Sequence, residues 1–83
     1  MNMNTITFEE FNNEVKTAIE KRPVYIRPGQ AAFNYVDENF RSVARISQHK
    51  YGIDCFYNDE LIDKFIKKCY EILSNKEYLN NPF

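Results

Sequence analysis

The chain has 83 residues, 43% of them hydrophobic and 28% charged, with two glycines, three prolines, two cysteines and a formal charge of −1. A chain of this length buries only roughly 60% of the surface its unfolded form exposes, which allows one modest core and excludes the deep inter-domain clefts of large enzymes. No run approaches the ~20 apolar residues of a membrane span, and Met1-Asn2-Met3-Asn4 lacks the basic and apolar regions of a signal peptide, so a cytoplasmic protein with no membrane partner is expected.

The first predicted element is a helix over about residues 8–22. Thr7 and Glu10 form a T-x-x-E capping box, and Ile6 and Phe11 occupy the staple positions around it. Phe8, Phe11, Val15, Ala18 and Ile19 recur at helical spacing opposite Glu9, Asn12, Asn13, Lys16 and Glu20, and Pro23 ends the pattern. Val24-Tyr25-Ile26-Arg27 has β-type residues between two prolines and reads as an extended connector, with a short β element as the alternative.

A second helix is predicted over about 30–47, because Ala31, Ala32, Phe33, Val36, Phe40, Val43 and Ala44 keep a helical period with no breaker before Gly52. Its end falls between Asn39 and Gln48, since Ser42 to Ser47 also alternates in part as a strand would. Tyr51-Gly52 marks a turn, and Ile53 to Tyr57 reads as extended. A third helix over about 59–74 has Asn58 as N-cap, Asp59 and Glu60 in its first turn, and Tyr57 and Ile62 at staple positions. Ile62, Phe65, Ile66, Cys69, Ile72 and Leu73 form its apolar stripe, and residues 75–83 read as a flexible tail in which Tyr78, Leu79 and Phe83 either dock or fray. The expected fold is mainly α: one compact domain of three helices, or four, spanning residues 1–83.

The charges are segregated. Residues 1–20 set Lys16 against Glu9, Glu10, Glu14 and Glu20, whereas residues 21–50 set Lys21, Arg22, Arg27, Arg41, Arg45 and Lys50 against only Asp37 and Glu38. All four arginines lie in that central stretch, and the guanidinium fork suits phosphate and carboxylate. An unbroken second helix would align Arg41, Arg45 and His49 as an anion stripe; the alternative is an Asp37–Arg41 pair at i, i+4 with Arg45 solvated. In Arg27-Pro28-Gly29-Gln30, glycine at a helix start lets a ligand reach unpaired backbone N–H groups, with Arg27 beside it. Neither G-K-S/T nor G-x-G-x-x-G is present.

Other chemistry is sparse. Asp54, Asp59, Glu60 and Asp63 resemble a hard-metal set only superficially, since capping accounts for Asp59 and Glu60. His49 is the single histidine and supports neither zinc nor a triad; Cys55 and Cys69 are expected as reduced thiols, with Cys69 in the core. Seven Phe and six Tyr exceed what so small a core can comfortably hide, which suggests that some serve an interface. The slightly acidic balance opposes nucleic-acid binding. No catalytic residues, metal or cofactor are therefore expected, and a homodimer would add core to so small a domain.

The pattern R-x-G-Q-x-x-F-N, carried by Arg27, Gly29, Gln30, Phe33 and Asn34, and the later D-x-F-Y of Asp54, Phe56 and Tyr57 resemble a group of small uncharacterised phage and prophage proteins. The match runs from Arg27 to about Leu73, and Cys55 stands where the group often has proline. The resemblance implies a phage or prophage origin more than an activity. Because small phage proteins with no catalytic constellation commonly work by occupying a host protein, the expected function is non-enzymatic binding and inhibition of a host protein, such as an antiviral-defence component in the manner of anti-CRISPR proteins. The candidate partner- or anion-binding residues are Arg27, Gly29, Gln30, Asn34, Arg41, Arg45, Asp54 and Tyr57, with Asp54 expected to accept from Arg27 and Gln30 and Asn34 to satisfy nearby backbone. Two other readings remain open: capture of a small anionic ligand such as a nucleotide signal, and DNA-binding regulation.

Overall fold

The computed structural model describes residues 6–79. Four helices follow one another: α1 (Phe8–Glu20), α2 (Pro28–Asn39), α3 (Val43–Tyr51) and α4 (Ile62–Ser74). Single 3-10 turns at Asp59–Leu61 and Glu77–Leu79 precede and follow α4, and no strand occurs among the described residues. The mainly α, single-domain expectation holds, and Ile53 to Tyr57 runs without strand partners.

α1 begins where its capping box places it. The Glu10 N–H donates to the Thr7 hydroxyl at 3.1 Å while the Thr7 N–H donates to the Glu10 carboxylate at 2.9 Å, satisfying two orphan donors of the first turn. Ile6 and Phe11 are both buried, as a staple requires. The helix stops at Glu20 because Arg22 turns back, donating to the carbonyls of Ile19 (2.7 Å) and Ile26 (2.8 Å), which also folds the link to α2.

The predicted helix over 30–47 is two helices. Phe40 ends α2, Arg41 adopts a positive φ of 41°, and α3 starts at Val43. Phe40, Val43 and Ala44 are all buried, as their helical spacing predicts, but they reach the core from two helices rather than from one. Ser42 to Ser47, the candidate strand, is helical from Val43, and α3 ends at Gly52 in the left-handed conformation, its N–H donating to the Ser47 carbonyl. Asp37 pairs not with Arg41 but with Arg45 across the break, at 3.1 Å.

α1 and α2 lie antiparallel: the Phe11 ring meets Phe40 at 5.1 Å and Tyr35 reaches back to Glu14. α4 closes the core with Phe65, Ile66, Cys69, Ile72 and Leu73, and Phe33 stacks on Phe65 at 5.5 Å. Each fully buried large side chain contributes about 1.5–3 kcal/mol relative to exposure. Tyr70 on α4 donates its hydroxyl to the Ile6 carbonyl at 3.0 Å and packs edge-on to Phe8.

Two expectations about α4 need correction. Asn58 does cap, accepting from the Glu60 N–H at 3.0 Å, but Tyr57 is no staple; it stands 82% exposed, and Phe56 packs inward on Phe33 instead. The residues after α4 are not a loose tail as far as they are described. Tyr78 is buried with the Arg41 guanidinium 5.7 Å from its ring, and the Tyr51 hydroxyl donates to Glu77 at 2.7 Å. Phe83 lies outside the described residues.

Candidate functional site

The start of α2 and the segment from Asp54 to Asp59 close on each other, as the polar character of both suggests. The pairing differs from the expected one. Pro28 has no N–H, the Ala31 N–H donates to the Arg27 carbonyl at 3.0 Å, and the Gly29 N–H donates to Asp59 Oδ1 at 2.8 Å. The backbone site open to a ligand in the sequence reading is thus occupied by the protein's own carboxylate, where the helix dipole favours negative charge. Gly29 is needed here for close approach, not for a turn: a Cβ at this position would run into the Cys55 carbonyl oxygen and lie 2.9 Å from Asp59 Oδ1.

Around that contact the segment is held from several directions. Arg27 Nη2 donates to the Phe56 carbonyl at 2.8 Å, not to Asp54. Asp54 accepts instead from the Phe56 N–H at 2.7 Å and from Gln48 Nε2 at 3.1 Å, making a local turn anchored to α3. The Cys55 thiol donates to the Gly29 carbonyl at 3.2 Å. Burial, then the charge of Asp54, pushes that thiol up to about 12; burial likewise raises Cys69. Both thiols are fully buried in the core, the opposite of a nucleophile's surroundings.

The remaining candidates are dispersed. Gln30 and Asn34 are half-buried and make no side-chain hydrogen bond among the described residues, so they do not satisfy loop backbone as expected; Asn34 faces a hollow between α1 and α2. Arg41 lies over Tyr78 and Arg45 pairs with Asp37, so the helix break dissolves the proposed stripe with His49. Asp59 caps α2 while Asp63 pairs with Lys16 at 3.1 Å; no group of three metal-ligating side chains occurs among the described residues.

What the closure leaves outside is aromatic and cationic. Tyr57 projects from the segment with its ring 4.8 Å from Phe56 and the Arg27 guanidinium 5.5 Å from its centroid. Tyr25, two residues before Arg27, is 80% exposed and Val24 is fully exposed. Tyr25 and Val24 were not singled out as site residues in the sequence. Their only signal was an apolar pair lodged between two prolines. An exposed aromatic group with an arginine stacked beside it is the composition of interface hot spots.

Comparison with protein-family models, with curated proteins and with solved structures gave no match.

Proposed function

We propose that this chain is a non-enzymatic interaction protein that binds another protein through Tyr25, Arg27 and Tyr57. The observation that carries the reading is Tyr57, 82% exposed, beside a guanidinium already oriented by the Phe56 carbonyl, with Tyr25, two residues before Arg27 in the chain, 80% exposed. A side chain fixed before binding loses less entropy on association. The resemblance to phage and prophage proteins supports a host protein as the partner, with an antiviral-defence component as the target and inhibition as the result.

Capture of a small anion at Gly29 is disfavoured, because Asp59 occupies the N–H that such a ligand would need. DNA-binding regulation is disfavoured by the net charge of −1 and by the pairing of Arg45 with Asp37.

Native mass spectrometry of the protein isolated gently from a defence-competent host tests the reading. The expected result is an added protein subunit that is lost when Tyr25 and Tyr57 are both replaced by serine, with the melting temperature unchanged. An added mass of a few hundred daltons, or a subunit retained by the double variant, would refute it.

A further inference from the structure

A trough runs along the seam between α1 and α2. It consists of two hollows of about 360 and 310 Å³ that share Ala18, Lys21 and Tyr35. Its floor is made of Ala18, Ala31 and the Tyr35 ring, small or flat groups that allow another helix to approach closely. Tyr35 is held in place by its hydroxyl, which donates to Glu14 at 2.7 Å.

The two ends of the trough carry opposite charge. Lys21, joined by Arg22, lines it near the α1–α2 link. Glu14 lies two turns back along α1, roughly 10 Å away at 1.5 Å per residue. Glu38 lines the second hollow with Lys21, but because α2 runs antiparallel and Tyr35 meets Glu14, Glu38 sits about one turn of α2 past Tyr35, on the side of Glu14 away from the link. Neither Lys21 nor Glu38 makes an ion pair or side-chain hydrogen bond among the described residues, and both are exposed.

We infer that the trough is the interface with a second copy of this chain. A surface positive at one end and negative at the other is complementary to itself when rotated by a two-fold axis across its middle. Lys21 of each copy then faces Glu38 of the other while the alanine floors meet, giving four helices around the axis. A surface charged with one sign would instead repel its own copy. The inference goes beyond the partner reading and does not depend on it, since Lys21 and Glu38 lie outside the Tyr25–Arg27–Tyr57 group.

Sedimentation velocity across micromolar to millimolar concentration tests it, with three samples: wild type, Lys21→Glu and Glu38→Lys. Wild type should show a monomer–dimer equilibrium. Each single reversal places like charges across both contacts and should weaken association roughly tenfold or more. An equimolar mixture of the two variants should recover association, because the mixed dimer opposes acidic to basic residues at both contacts. Both substitutions are at exposed positions that make no ion pair or side-chain hydrogen bond among the described residues, and circular dichroism of each variant checks that it folds. A wild type that stays monomeric, a dimer indifferent to both reversals, or a mixture that fails to recover would each overturn the assignment.

Discussion

Gly29→Ala provides the most direct test of how α2 is joined to the 54–59 segment. Alanine is ordinarily the better helix residue by up to ~1 kcal/mol, so propensity alone predicts stabilisation. The structure predicts the reverse. The new methyl group runs into the Cys55 carbonyl oxygen, a backbone atom that accepts from the Asn58 N–H at 3.2 Å and belongs to a fully buried residue. Relief requires the whole turn to move, at a typical overpacking cost of about 1–3 kcal/mol. The move also strains the Gly29-to-Asp59 bond at 2.8 Å and the Cys55-to-Gly29 bond at 3.2 Å, each worth about 1 kcal/mol net. Set against the propensity gain, the balance is a loss of about 2–4 kcal/mol, a fall in Tm on the order of 10–30 °C for a domain of this size. Urea and thermal unfolding followed by circular dichroism would measure it. Gly52→Ala is the control, because a Cβ there meets nothing within 4 Å and only the left-handed backbone, φ 67°, opposes it, at about 1 kcal/mol. A Gly29→Ala variant as stable as wild type, or no worse than Gly52→Ala, would refute the close-contact argument.

Asp59→Ala removes the carboxylate that caps α2 and should cost about 1–2 kcal/mol, whereas Asp59→Asn keeps an acceptor and should cost less than half as much; urea midpoints at neutral pH distinguish the two. The buried thiols predict alkaline sensitivity. Cys55 is raised from 9.0 to about 12 in the fold, so its contribution is whole below pH 9 and is lost as pH rises towards 12, when the unfolded chain has already released the proton. Unfolding free energies at pH 8 and 10.5 should fall by up to ~1.4 kcal/mol per unit more in wild type than in Cys55→Ala, and equal slopes would contradict the assignment.

The helix starts were legible because their signals are local. Thr7 and Glu10 lie three residues apart and satisfy each other's backbone, and Asn58 caps its own next turn, so neither needs tertiary information. The break at Arg41 was not legible, since no glycine or proline marks it and Phe40, Val43 and Ala44 keep a helical spacing across it. The candidate site shows the same division. Gly29 beside Pro28 announced that something approaches the start of α2, but its occupant, Asp59, is 30 residues away in sequence, and Asp59 had a sufficient local explanation as a first-turn acid. Arg27 and Asp54 were placed correctly at the closure and wrongly paired, because a guanidinium finds a backbone carbonyl as readily as a carboxylate.

The hydrogen bond from Tyr70 to Ile6 ties together positions 64 residues apart. During synthesis α1 is made about 50 residues before α4, which at 5–20 residues per second is a delay of roughly 3–10 s. Through that interval the Phe8 and Phe11 rings lack the Tyr70 ring they finally pack against. α2 covers the Phe11 side of α1 earlier, through Phe40, so the part of α1 left uncovered until α4 is complete is the side that Tyr70 finally meets, and the order of translation leaves that side open to chaperones and to premature association.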